Sequence, residues 1–501
     1  MDNASATKYI DAAVIGAGVL GCFAARALTA FDISAAVIEQ REDVCTGITR
    51  ANTGIIYTGC DNRPGSLKSE MCARANREFE QLCGELGVRF SRCGSLMVSF
   101  GPRAEKVLQK KLDFGQKNGV EGLRILDRDE TLAMEPRISP DVTAALYAPG
   151  TGTVDPWELG IAAFENAQAN GAKFYFGRKL VHMEREAGGF RLETTQETFH
   201  ARTVINCAGL ASDAVREMLE VPAVRIVPTA GDYIVLDDTV RGMIRHVIFH
   251  EPEEKGKGLT LVPTVDGNLL AGPTEREMPA APDRTESAYS ASDRRGLQEL
   301  EELCSEVVPG LPLSEQIRNF SAVRPNPYQV TEKDAIWIPT DRSINDFVIL
   351  SEEGLISLIG IKTPGLTCAA ELGRHCARLA AGFLGNPGVN PHYDPVRPAP
   401  ARLHDMPEKE RAGLILKDPD YGRIVCLCGD ISLGEIRDAI RRGAVTLDGV
   451  KRRAGTGMGR CQGARCMKEV MEMLAAAQSV RPEEVTRDGE GTYILGEPSR
   501  G

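Results

Sequence analysis

Nowhere in the 501 residues is there an unbroken apolar run of about 18 residues, so a conventional membrane-spanning helix is excluded. Positive charge is not in excess either: 59 Lys and Arg against 70 Asp and Glu give a net charge of −11. Such a field repels phosphodiester backbones, and no nucleic-acid partner is expected. A small anionic substrate would need a locally positive pocket. Aromatic residues are sparse, at 5%. Cysteines number 14 of 501, too dilute for a small secreted disulfide scaffold yet enough for thiol or metal chemistry in a reducing compartment. Residues 1–9 are polar and lack a basic stretch ahead of an apolar core, so no secretion signal is expected. These features predict a cytoplasmic location, with any membrane association made through a partner subunit.

What is present fits ordinary globular usage, 42% apolar and 26% charged. At roughly 150 residues per domain the length suggests about three domains. A short strand, Ile10-Asp-Ala-Ala-Val-Ile15, is followed by Gly16-Ala-Gly18-Val-Leu-Gly21, then a helical stretch to about residue 30, then Ala35-Ala-Val-Ile-Glu39. The β-α-β order implies a parallel pair with a crossover helix. Gly16 permits the tight turn, Gly18 admits a pyrophosphate to the backbone, Gly21 allows helix to pack on strand, and Glu39 is placed to accept from a ribose. NAD and FAD use the same device, so the loop alone leaves the nucleotide open.

Strand-like segments recur at 174–184, 190–195 and 203–208, and the middle of the chain alternates as a covering sheet. Between 386 and 420, Pro387, Pro391, Pro395, Pro398, Pro400, Pro407 and Pro419 predict an irregular surface linker. The last unit carries its own cysteines. The expected division is a discontinuous nucleotide-binding domain (1–90, 145–225, 340–385), a substrate domain (91–144, 226–339), a linker (386–420), a cysteine-bearing domain (421–480) and a tail (481–501). The fold class is α/β, a Rossmann-like domain with a mixed-sheet substrate domain and a small helical C-terminal domain.

The stretch from Thr49 to Lys68, Thr49-Arg-Ala-Asn-Thr-Gly-Ile-Ile-Tyr-Thr-Gly-Cys-Asp-Asn-Arg-Pro-Gly-Ser-Leu-Lys68, resembles the flavin-contacting segment of D-amino-acid-oxidase-like FAD-dependent oxidoreductases. The resemblance is to dehydrogenases of the glycerol-3-phosphate and 2-hydroxyglutarate type. Gly152-Thr-Val-Asp-Pro156, Val204-Ile-Asn-Cys-Ala-Gly209, Val323-Arg-Pro325 and Thr363-Pro-Gly-Leu-Thr367 extend the resemblance over about the first 385 residues. It implies FAD as cofactor. Contacts are implied for the glycine loop with Leu20, for Glu39 and Gln40, and for Thr49, Asn52 and Thr53. Val181, Ala208, Gly209, Gly365, Leu366 and Thr367 complete the implied set. Thr367 is also suited to cap the following helix, putting its positive end near the flavin's N1 and C2 oxygen.

Oxidising a carbinol requires a hydride path, a base and a cationic clamp for the substrate's anion. Arg324 is the candidate clamp, stiffened by Pro325 and Pro327. His250, Tyr57 and Tyr233 are candidates for the proton, with His246 beside them. Many relatives carry histidine where this chain has Tyr57, and tyrosine with its ordinary pKa near ~10 is a poor base.

Cys426-Leu-Cys428 and Cys461-Gln-Gly-Ala-Arg-Cys466 form two close thiol pairs. Four thiolates can hold zinc or an iron–sulfur centre, and spacings of one and four suit structural zinc poorly. The unit resembles the [2Fe-2S] domain of bacterioferritin-associated ferredoxins. From 421 to 480 ten Lys and Arg face six Asp and Glu. Arg452, Arg453, Arg460 and Arg465 lie near the second thiol pair, where they would offset thiolate charge or guide an acidic partner.

Together these features predict an FAD-dependent dehydrogenase of a small anionic alcohol, sn-glycerol 3-phosphate first. It would pass electrons through [2Fe-2S] to a partner, a second flavoprotein or another electron-transfer subunit. A 2-hydroxy acid or secondary amine as substrate, and a non-catalytic redox scaffold, are the competing readings.

Overall fold

The strand Lys8–Ile15 ends in four fully buried small and aliphatic residues, Ala12 to Ile15, which read as a central strand covered on both faces. It pairs in parallel with Ala35–Ile38 on one side and Thr198–Asn206 on the other. The computed structural model describes residues 8–101, 104–250, 258–278, 289–333 and 336–496. By its contacts the chain forms two units, one of residues 1–40 and 44–396, the other of residues 41–43 and 397–501.

In the first unit an eight-stranded sheet is built on that strand, with an antiparallel meander (Leu180–Glu186, Gly189–Thr194, Thr198–Asn206) at one side. Leu355–Ile359 adds in parallel to Thr198–Asn206. The helices Val19–Leu28, Pro156–Ala169 and Ala369–Phe383 pack into one buried cluster with residues of the sheet. A second, ten-stranded mixed sheet has the order Ile336–Ser343, Gln316–Lys333, Val224–Leu236, Leu269–Ala271, Thr260–Pro263, Val247–His250, Ser95–Ser99, Ala144–Ala148, Arg124–Asp127. Arg276–Glu277 pairs at its side. This is the α/β architecture with a mixed-sheet second layer. Among the described residues no helix is long and apolar enough to cross a membrane.

The segment expected as a 386–420 linker is ordered in both units. Residues 386–396 strap onto the first: Gly388 O accepts from Asp32 N at 2.8 Å, and Asp394 O from Asn166 Nδ2 at 3.0 Å. Residues 408–417, between Pro407 and Pro419, contain no proline and form the helix Glu408–Lys417 in the second unit. That unit packs the helices Leu433–Arg441, Leu447–Ala454 and Met467–Gln478 around a small core. The expected tail belongs to it, since Val485 is 2% exposed within that core.

Candidate functional site

The glycine loop shows why each glycine is needed. Gly16 has φ +96°, and a Cβ there would meet Cys207 O at 2.7 Å. A Cβ on Gly21 would lie 1.9 Å from Gly16 O, so only glycine lets the helix Val19–Leu28 start against the turn. Gly18 differs: its Cβ would meet only Thr49 Oγ1, at 3.5 Å, leaving that face open for a ligand. Gly18 is also the helix N-cap, with no side-chain cap. Glu39, 8% exposed, is fixed from this loop by Ala17 N, which donates to its Oε2 at 2.6 Å. Thr49 Oγ1 accepts from Val19 N at 3.1 Å, tying the second contacting segment to the first.

Asn52 Oδ1 accepts from Gly54 N at 2.9 Å and shapes a turn, with Thr53 and Leu20 half-buried beside the same loops. Gln40 is exposed. Ala208 N donates to the buried Asn206 at 3.2 Å, and Gly209 has φ +58°. Val181 is skipped by the ladder at a bulge and is 50% exposed.

Thr367 corrects the expected helix cap. Its hydroxyl donates to Ile55 O (3.5 Å) and accepts from Tyr57 N (3.0 Å), joining the 363–367 turn to the Ile55–Ile56 strand. The N-cap of Ala369–Phe383 is Cys368, without a side-chain cap bond. Leu366 is buried, and Gly365 N donates to Lys362 O at 2.7 Å. At this helix end Cys368 N donates to Pro364 O at 3.1 Å and Ala369 N to Leu366 O at 3.2 Å.

Arg324, on the strand Gln316–Lys333, has a side chain only 12% exposed. Among the described residues its Nη1 and Nη2 are buried without a hydrogen-bond partner, and Glu275 pairs with Nη1 at the long distance of 3.6 Å. Two unsatisfied guanidinium donors are costly unless an anion completes them. Sequence reasoning missed Lys362, which donates to Asn326 Oδ1 at 2.9 Å. Burial lowers its pKa, with Arg324 adding to the effect and Glu275 opposing it. The available signal was its position directly before Thr363-Pro364.

Tyr233 stacks on Phe320 at 4.8 Å, and burial raises its pKa against the pull of Arg324. Tyr57 stacks on Phe249 at 5.9 Å, and burial raises its pKa too, with Asp61 and Tyr233 next in effect. Both phenols are neutral at ordinary pH, suited to orienting a hydroxyl and unsuited to removing its proton.

The expected His250 is not brought to this cluster. Strand alternation sends Phe249 toward Tyr57 and Tyr233, and His250 to the opposite face, where it stacks on Phe100 at 5.5 Å. His246 is tied to the buried Glu135, Nδ1 to Oε1 2.8 Å, and is structural.

In the second unit Cys426 contacts Cys466 and Cys428 contacts Cys461. Cys466 and then the amides of Gly457, Gly429 and Cys428 push the Cys426 thiol down to about 5. Cys428 and then the amides of Arg465 and Gly463 lower Cys461. Two thiol pairs facing backbone donors suit a two-iron cluster, whose sulfurs accept such bonds. Among the described residues no three metal-ligating groups gather as a single-ion site. Cys426 and Cys466 are buried, Cys461 is half-buried and Cys428 exposed. Arg452 and Arg453 do not offset these thiolates. Both are buried, with Arg453 gripping Asp43 through bonds of 2.6 and 2.7 Å and Arg452 pairing with Asp43 and Asp488. Arg460 and Arg465 are exposed.

Residues 11–379 match the family model "FAD dependent oxidoreductase". The chain belongs to that family. Residues 424–476 of this FAD dependent oxidoreductase match "BFD-like [2Fe-2S] binding domain", so its cofactors are FAD and a [2Fe-2S] cluster. It is 37% identical to the glycerol 3-phosphate dehydrogenase of Caloramator mitchellensis over 98% of this chain and 99% of that protein. Two solved structures share the fold. L-alpha-glycerophosphate oxidase from Mycoplasma pneumoniae with FAD bound has TM-score 0.69 and 23% identity, covering 79% of this chain and all (100%) of that one. Glycerol-3-phosphate dehydrogenase from Bacillus halodurans complexed with FAD has TM-score 0.64 and 17% identity, covering 95% and 92%.

Proposed function

We propose that this enzyme oxidises sn-glycerol 3-phosphate to dihydroxyacetone phosphate and passes the electrons through its [2Fe-2S] domain to a partner electron-transfer protein, a second flavoprotein. The observation that carries this is Arg324: two buried guanidinium donors that, among the described residues, make no hydrogen bond and have only a long ion pair to Glu275, with Lys362 within electrostatic reach. Such a pair suits a phosphate dianion. The full-length relative named a glycerol 3-phosphate dehydrogenase supports the choice of anion.

FAD, when bound, supplies the hydride acceptor and a change from two-electron to one-electron transfer. The chain's residues do the rest. The glycine loop and Glu39 hold the nucleotide. Arg324 and Lys362 take the phosphate and fix the carbinol end of the substrate. Tyr57 and Tyr233, held neutral, orient its hydroxyl by hydrogen bonding. Cys426, Cys428, Cys461 and Cys466 hold the cluster, with Cys428 at its solvent edge. The protein acts in the cytoplasm and reaches a membrane only through its partner.

A guanidinium fork grips carboxylate as well as phosphate, which keeps a 2-hydroxy acid as the second reading. Steady-state assays with an artificial acceptor compare sn-glycerol 3-phosphate, 2-hydroxyglutarate and a secondary amine. The proposal expects kcat/KM to be highest for sn-glycerol 3-phosphate. Equal or greater turnover of either competitor overturns it. Absence of turnover with all three would favour a redox scaffold.

A further inference from the structure

Period-two alternation gathers one set of side chains on a single face of the second sheet. Arg324 stands opposite Thr229 across the strand pair, so the two share a face, and Asn326, two residues on from Arg324, joins them. Tyr233 and Phe320 lie further along the same face. Glu277 pairs with Thr229 from the other side, and the alternation carried back along that strand puts Glu275 on this face and Arg276 on the reverse one. The contacts agree. Arg276 reaches Asp232 Oδ1 at 3.4 Å and Ser321 Oγ at 3.2 Å, while Glu275 Oε1 lies 3.6 Å from Arg324 Nη1.

The hydrogen bonds on this face run in one direction. Lys362 Nζ donates to Asn326 Oδ1 at 2.9 Å, Asn326 Nδ2 to Thr229 Oγ1 at 2.9 Å, and Thr229 Oγ1 to Glu275 Oε1 at 3.5 Å. The chain of donors that starts at Lys362 thus ends on the carboxylate that faces Arg324. Its bond to Thr229 and its pairing with Arg324 are both long, so Glu275 offsets charge without satisfying the buried guanidinium donors. The two partners are not equally fixed. Arg324 Nη2 packs against Gly231, where a Cβ would come within 2.9 Å of it, whereas the Glu275 side chain is 35% exposed and has room to turn outward.

We propose that Glu275 is a resident counter-ion of the anion site, a carboxylate that gives up Arg324 to the substrate's phosphate and so sets how tightly that phosphate is held. The inference rests on the reading of Arg324 and Lys362 as the phosphate clamp. With Glu275 in place the three side chains formally carry one net positive charge, and with the carboxylate turned away they carry two, the charge that a phosphate dianion neutralises.

The test uses the full-length holoenzyme and reads the inhibition constant of inorganic phosphate, which has the anion without the carbinol, beside kcat and KM for sn-glycerol 3-phosphate. In Glu275→Gln both the inhibition constant and KM should fall at least about threefold, against the up to about fivefold that exposed ion pairs contribute, with kcat within about twofold of wild type. Glu277→Gln, which removes an exposed carboxylate from the same face, should shift them by less than about twofold. Should Glu275→Gln fail to retain flavin, Glu275→Ala carries the same expectation, and loss of flavin in both would overturn the proposal by marking a structural carboxylate. Inhibition by phosphate that is unchanged or weaker would overturn it too, as would a fall in kcat beyond about tenfold, the mark of a proton acceptor. Arg324→Ala separates this inference from the reading beneath it. If that variant leaves inhibition by phosphate unchanged, the clamp itself fails; if it weakens inhibition while Glu275→Gln leaves it untouched, only the counter-ion fails.

Discussion

Replacing Arg324 by alanine removes the two donors that define the anion clamp. Hydrogen bonds to charged groups contribute about 1.5–3 kcal/mol each, so a bidentate grip on phosphate is worth about 3–6 kcal/mol. Two facts place the effect in the lower half of that range: the side chain is 12% exposed, and Glu275 lies 3.6 Å from Nη1 and already offsets part of the charge. About 3–4 kcal/mol corresponds to a loss of about 10²- to 10³-fold in kcat/KM. Arg324→Lys keeps the charge and loses the planar fork, and should fall between wild type and Arg324→Ala. The assay is anaerobic flavin reduction followed by stopped flow, with sn-glycerol 3-phosphate and, as control, glycerol, which lacks the phosphate. The reasoning requires the Arg324→Ala defect to shrink toward unity with glycerol. An equal defect with both substrates, or a loss under about threefold with the phosphate ester, would refute the clamp.

Other residues give sharp expectations. Gly21→Ala, whose Cβ would sit 1.9 Å from Gly16 O, should yield protein that retains little flavin, as measured by absorbance after gel filtration. Cys428→Ser should lose the cluster's visible bands while the flavin remains reducible by substrate; loss of substrate reduction as well would contradict the separate roles. Asp43→Asn leaves two buried arginines without their shared carboxylate, and breaking such a pair costs about 3–5 kcal/mol, so the cluster's visible circular dichroism should melt earlier. Asp155 caps the helix Pro156–Ala169, and burial, then Asp266 and Glu158, raise its pKa from 3.8 to about 7. The folded state thus holds this proton more tightly than the unfolded one. That stabilising contribution is complete below pH 3.8 and fades as pH rises toward 7. Asp155→Asn should therefore gain thermal stability relative to wild type between pH 5 and pH 8, and a gap that does not change with pH would refute the assignment.

The nucleotide loop was legible because each glycine answers a local steric demand, and strand, turn, helix and acid follow in sequence. The thiols were legible as two short spacings, but their contacts run across the pairs, Cys426 to Cys466 and Cys428 to Cys461. Errors arose where distant chain decided the outcome. Thr367 looks like a helix cap in its own sequence, but its hydroxyl is claimed by Ile55 and Tyr57, some 310 residues away. Arg452 and Arg453 sit near the second thiol pair in sequence, yet Asp43, more than 400 residues earlier, buries their charge. His250 was misjudged for a reason that was local: with Phe249 facing Tyr57, period-two alternation already sends its neighbour to the other side. Lys362 escaped notice because a lone lysine in a sequence is usually solvated, and only its burial marks it.

The central claim, that electrons pass from substrate to a flavin in the first unit and on to iron in the second, is tested most directly by titrating the purified holoenzyme anaerobically with sn-glycerol 3-phosphate under a recording spectrophotometer. The account predicts that the visible band of the oxidised flavin bleaches and that the cluster absorbance then falls as further substrate is added. Flavin and cluster bands that both persist through a large excess of this substrate would contradict it.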